Sequence, residues 1–227
     1  SFWIGPLLQD MSYDVIKDFM PVAITSEVTN VVVVPISLPV KSIRELIALA
    51  KAKPGELNYS SGQSGGGANL AVELFKHMAG VNIVRIVYKG GSLALIDLIA
   101  GRVQMTINDA PTLMGSVKAG KLRGLAITSL KPSSLYPDFL TVAASGLPGY
   151  ESGAIQAAFV PAQTPQSIGN RLNQEIVRYL KSPEAKAQFL NAETEVVGSS
   201  AQELSAKLKE ELATWGKVIK DAGIKIE

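Results

Sequence analysis

The 227-residue chain is 47% apolar, carries 22 basic against 20 acidic side chains for a formal charge of +2, and contains no cysteine and one histidine, His77. Scattered, nearly balanced charge disfavours a nucleic-acid partner, and the absence of thiols with only a single imidazole removes thiolate chemistry, disulfides and almost all zinc or copper sites. The longest apolar run, residues 31–36, is interrupted by Pro35 and is far shorter than the about 20 residues that span a bilayer.

The length suits one large core or two smaller ones. The sequence opens at Ser1 with no initiator Met and no signal peptide, so a processed or truncated start is expected. Residues 21–36, PVAITSEVTNVVVVPI, carry β-branched side chains almost continuously, the pattern of a strand buried on both faces of a mostly parallel sheet. Ser42 and Glu45 form an S-x-x-E capping box for a helix whose apolar face is Ile43, Leu46, Ile47 and Ala50, and Pro54-Gly55 stops it. A strand over 57–61 follows, then a helix with Leu70, Leu74 and Met78 on one face.

The unit recurs as a strand over 83–88, the turn Lys89-Gly90-Gly91, a helix over 92–100, a strand over 103–108, a short helix over 111–118 and a strand over 122–128. Strands alternating with helices of this length imply βαβ crossovers. Thr141 is placed to cap a single helical turn, and residues 154–160 read as another strand. Thr164-Pro165 and Ser182-Pro183 each open a helix with Pro at its first position. A strand over 194–197 leads to Ser200, whose capping box closes on Glu203, and to a long helix with Leu204, Leu208, Leu212, Trp215 and Ile219 in one stripe. Trp215 is expected in the core.

The segment LNYSSGQSGGGANLAVELF, where a strand enters a helix through serine and glycine, reads as an anion site. Backbone N–H groups at a helix start have no intrahelical partner and carry the positive end of the helix dipole. Ser60, Ser61 and Ser64 add hydroxyl donors, and Gly65, Gly66 and Gly67 remove the Cβ atoms that would block close approach. Gly62-Gln63-Ser64-Gly65-Gly66 also matches G-x-S-x-G, the nucleophile elbow of hydrolases. The one histidine base, His77, lies ten helical residues on, roughly 15 Å from the helix start, whereas a base must come within about 3 Å. No Lys-Ser/Thr pair follows the glycines, so the loop is not a P-loop. Asn108-Asp109 ends a strand, where α/β ligand sites gather, and Asp109 reads equally well as an N-cap or as a ligand contact. Tyr88-Lys89-Gly90-Gly91 reads as a plain turn or a basic clamp, and His77 as a solvated helix residue.

Several runs, in order, carry a resemblance: SLPVKSIRELIALAKAKPGELNYSSG (37–62), YKGG (88–91), AGKLRGLAIT (119–128), GLPGYE (146–151) and WGKVIKDAGIK (215–225). Together they resemble the substrate-binding proteins of tripartite tricarboxylate transporters, the Bug or TctC-type periplasmic solute receptors. The resemblance implies an α/β, two-lobed periplasmic-binding-protein architecture of type II, with mostly parallel sheets, helices on both faces and two strands crossing between lobes. Lobe one is expected over 1–33 and 158–227 and lobe two over 34–157, with the family's first strand and its Pro/Gly-rich ligand loop falling ahead of Ser1, so that lobe one is incomplete. The implied function is capture of a small carboxylate-bearing metabolite (dicarboxylate, tricarboxylate or amino acid) by hinge closure and its delivery to membrane transporter subunits, without catalysis, cofactor or metal. The residues carried over are Ser61, Gly62, Gln63, Ser64, Gly65, Gly66 and Gly67, with Asn108 and Asp109. The chain departs from the family pattern at Gly66, Gly67, Ala68 and Asn69, which replace a Thr-Ser-Ser-His-like run, in the order of Asn108 and Asp109, and at Ile155, where relatives have an aromatic. The alternative is an α/β hydrolase-like enzyme acting on a small acidic metabolite through Ser64.

Overall fold

A computed structural model of the chain describes residues 2–62 and 64–224. The β-branched run forms β1 (Phe19–Pro35), whose later residues Val31, Val32, Val33 and Val34 are completely buried. The chain divides along this strand into two compact units: residues up to Val28 join those from Ala154 onward, and Thr29–Gly153 forms the other.

In the Thr29–Gly153 unit, β1 lies antiparallel to β4 (Thr106–Asp109), with Asn30 opposite Asp109, and to β5 (Leu122–Ile127), with Val31 opposite Ile127 and a bulge between Val32 and Val33. β2 (Asn58–Ser61) runs parallel to β3 (Val84–Val87) and meets the start of β4 through a parallel bridge between Tyr59 and Met105. The expectation of mostly parallel pairing is therefore corrected at β1. A continuous valine run reports burial on both faces, which is equally satisfied by neighbours running either way.

Helices α3 (Gly67–Ala79), α4 (Gly91–Ile99) and α5 (Ala110–Lys118) make the crossovers between these strands. Val31 and Val33 pack with Leu98 of α4 and Leu113 and Met114 of α5, and α3 packs on β4. Ahead of them, α2 (Ile43–Ala52) starts at Ser42, whose Oγ accepts the Glu45 N–H at 3.2 Å. The Glu45 carboxylate accepts from Lys41 N–H at 2.6 Å, one residue earlier than a strict capping box has it. Thr141 Oγ1 accepts the Ala144 N–H at 3.1 Å, as its capping role requires.

In the other unit, β1 pairs with β6 (Gly153–Pro161) and, antiparallel, with β7 (Glu195–Val196). α6 (Gln166–Leu180) takes Pro165 as its N-cap rather than its first helical residue, and α7 (Pro183–Asn191) has Pro183 at the expected first position. α8 (Ala201–Ala222) has the full Ser200/Glu203 capping box. Its best-buried residues are Leu204, Leu208, Val218 and Ile219, while Trp215 is only half-buried, a correction to its expected core role. A short α1 (Gly5–Leu8), absent from the sequence reading, packs on α8, and Trp3 Nε1 donates to Glu211 Oε2 at 2.6 Å. Phe2 sits among Tyr13, Phe19 and Phe159 with ring centroids 4.9–5.3 Å away. Among the described residues no helix is long and apolar enough to cross a membrane.

Candidate ligand site

The end of β2 and the start of α3 are joined by residues 62–66, and the adjacent parallel strand β4 ends on the same side of the sheet at Asn108 and Asp109. The loop's Gln63 lies outside the described residues. Ser60 and Ser61 are buried, and Ser60 is committed to the sheet: its N–H donates to Met105 O at 3.2 Å and its carbonyl accepts from Thr106 Oγ1 at 3.0 Å. Gly62, Gly66 and Gly67 are exposed, and a Cβ on Gly62 or Gly67 would meet nothing within 4 Å.

The loop is held from two directions. From α3, the buried Asn69 accepts the Gly65 N–H on Oδ1 at 3.0 Å and donates from Nδ2 to Tyr59 Oη at 2.8 Å. Tyr59 in turn donates to Glu73 Oε1 at 2.6 Å, which also receives Lys76 Nζ at 2.7 Å. Burial first, and the Glu73 carboxylate second, push the Tyr59 hydroxyl far above the ordinary tyrosine range, so it remains a neutral strut. From β3, Arg85, which stands opposite Tyr59 in the strand pairing, donates Nε to Ser61 Oγ at 2.8 Å, one terminal nitrogen to Gly62 O at 2.7 Å and the other to Ser64 Oγ at 3.3 Å.

The N-cap of α3 is Gly66, which has no side chain with which to cap the helix, and the positive end of the helix dipole lies at this start. Gly65 is the loop position that needs glycine for its backbone, with φ +74°. Its N–H, though, already belongs to Asn69, which leaves the grip to amides further into the helix.

At the neighbouring strand end, Asn108 Oδ1 accepts the Asp109 N–H at 3.0 Å. Asp109 holds the N-cap position of α5 without making a cap bond, a correction to that half of its reading: Pro111, at the second helical position, has no N–H to give. Burial alone raises the Asp109 carboxyl above its usual value.

Sequence reasoning missed Arg85 and Asn69. It weighed Lys89 as the cation of this region, yet Lys89 is exposed in the turn and Arg85 is the one that reaches the loop. Only the register that sets Arg85 opposite Tyr59 reveals it. Asn69 stands in the sequence as a departure from the family pattern, and nothing local to it signals that it fastens Gly65. His77 is exposed ten residues after the first residue of α3, which at about 1.5 Å per residue leaves no geometry for a Ser64–His77 dyad. Among the described residues no His, Cys, Asp or Glu cluster could hold a metal. In the other unit, Ile155 lines an apolar cavity of about 440 Å3 with Phe2, Trp3, Phe19 and Phe159.

Residues 1–224 match the family model described as tripartite tricarboxylate transporter family receptor. A UPF0065 protein in the tcbD-tcbE intergenic region of Pseudomonas sp. (strain P51) is 32% identical over 204 residues, covering 89% of this chain and 61% of its own length. Protein BugT of Bordetella pertussis is 30% identical over 221 residues, 97% of this chain and 68% of its own. The chain thus spans about two thirds of the length of these relatives. Among solved structures, R. palustris Rpa4515 with adipate superposes with a TM-score of 0.77 at 36% identity, over 96% of this chain and 73% of that one. The periplasmic binding protein BugD superposes with a TM-score of 0.76 at 25% identity, over 100% and 77%.

Proposed function

The chain belongs to the tripartite tricarboxylate transporter receptor family, and we propose that it is an extracytoplasmic solute-binding receptor for a small carboxylate-bearing metabolite, which it delivers to a membrane transporter of that type. The observation that carries the ligand class is the start of α3, where glycine stands at the N-cap and first helical positions beside the end of β4. A helix N-terminus of this kind favours an anion, and each charge-assisted hydrogen bond there contributes about 1.5–3 kcal/mol. A relative at 36% identity was solved with adipate, a dicarboxylate, which supports the same class for this chain. A periplasmic location is supported by a relative described as a periplasmic binding protein. Capture by hinge closure, with residues 1–33 and 158–227 as one lobe and 34–157 as the other, is part of the proposal.

The test is calorimetric titration of the full-length protein with adipate, citrate and glutamate, one acid from each ligand class, alongside an uncharged sugar. At least one acid should bind and be recovered chemically unchanged by mass spectrometry. Binding of the sugar with none of the acids would reverse the ligand class, and recovery of a converted product would make the protein an enzyme.

A further inference from the structure

We propose that Arg85 is the specificity-determining charge of this site, the cation that makes the β2–α3 loop select a carboxylate over a neutral group. The assignment rests on the reading of that loop as the ligand site.

The Arg85 guanidinium is half-buried and donates to Ser61 Oγ, Ser64 Oγ and Gly62 O, all of them neutral acceptors. Hydrogen bonds to neutral oxygens fix a guanidinium in place without cancelling its charge. Two carboxylates of the same unit are engaged elsewhere: Glu73 is bonded by Tyr59 and paired with Lys76 at 2.7 Å, and Asp97 is paired with Arg102 at 2.7 Å.

The consequence is a positive charge built into one wall of the loop, fastened by three bonds, in addition to the partial charge at the start of α3. The guanidinium carries more N–H groups than these three bonds consume, in a planar fork that matches a carboxylate. Placement matters as much as charge. Arg85 comes from the centre of a strand, so its position is set by the sheet rather than by the loop it serves.

The experiment compares full-length wild type, Arg85→Gln and Arg85→Lys by calorimetry with adipate, citrate and glutamate at about 20 mM and about 200 mM NaCl, where screening differs severalfold. Wild type should bind an acid more weakly at the higher salt. Arg85→Gln should weaken that acid by about tenfold or more at low salt and lose most of the salt dependence, while Arg85→Lys, which keeps the charge but not the planar fork, should keep the salt dependence and bind more weakly than wild type but more tightly than Arg85→Gln. Arg85→Gln binding within about twofold of wild type, or weakened with the wild-type salt dependence intact, overturns the assignment alone. The second result would mean that Arg85 only shapes the loop. Wild type binding none of the three acids overturns the receptor reading and this assignment with it.

Discussion

Asn69 in the first turn of α3 fastens Gly65 in the loop that feeds that helix, its Oδ1 accepting the Gly65 N–H at 3.0 Å while its Nδ2 donates to Tyr59. Asn69→Ala leaves a loop amide and a buried phenol each short of a partner, so stability should fall by about 1–3 kcal/mol in urea denaturation. Hydrogen exchange at Ser64–Gly67 backbone amides should quicken at the same time. Unchanged exchange would show that the clamp is not what orders the loop.

The two neighbouring glycines should respond differently to substitution. Gly65 has φ +74°, where an L side chain costs about 1–2 kcal/mol, whereas Gly66 has φ −69° and ψ 158°, ordinary extended backbone. Gly65→Ala should therefore lower the urea midpoint further than Gly66→Ala, which gives up only the preference for glycine over alanine at the N-cap. Equal shifts would mean that the loop does not hold this backbone in solution.

Alkaline pH should destabilise the fold through Tyr59 and Tyr150. The reference value for both is 10.0; burial first, with the Glu73 bond added at Tyr59, raises both in the folded state. The folded protein then keeps protons that the unfolded chain releases, so this stabilisation is complete below pH 10.0 and is lost as pH rises above it. Each tyrosine contributes up to about 1.4 kcal/mol per pH unit to the decline. Urea unfolding at about pH 9 and about pH 11 should show a shallower decline in Tyr150→Phe than in wild type. An identical slope would remove the tyrosines as its cause.

On β5, a Cβ added at Gly124 would stand 2.6 Å from Phe139 Cε1 and 2.9 Å from its Cζ. That ring packs against the Val31–Leu113–Ile127 core. Gly124→Ala should cost about 1–3 kcal/mol by overpacking, read as a lower Tm, with carboxylate affinity unchanged in the folded protein. A Tm equal to wild type would mean that the ring moves aside without cost.

His77→Ala should leave ligand binding and Tm unaltered, since His77 is exposed and far along α3 from the loop. Loss of an esterase activity in this variant would revive catalysis through Ser64.

Most elements could be read from sequence because each carries a local signal. Ser200 and Glu203 announce α8, the valines announce β1, and the serine and glycine run marks where β2 gives way to α3. What escaped depends on pairing. The direction of β1 against β4 and β5 is invisible in a run buried on both faces, and Arg85 reaches the loop through a strand register set by distant residues. The demand for glycine falls on Gly65 rather than spreading across the three, because the turn places one residue in left-handed backbone. Trp215 misled because helical periodicity names a face, while the depth of burial along that face depends on what packs beside it.

β1 also sets the order of folding. Ser26 waits for Val196, and Asn30 waits for Asp109, whereas β2 and β3 meet across a single helix. Contacts so distant in sequence form slowly, because the intervening chain must be closed into a loop first. During synthesis the Val31–Val34 run therefore emerges early and stays uncovered until β4 and β5 have been made, the condition under which an uncharged β-branched segment recruits strands from other chains. Pro35, at its end, has no N–H with which to extend such a ladder, the property that lets a proline at a strand end oppose pairing between chains.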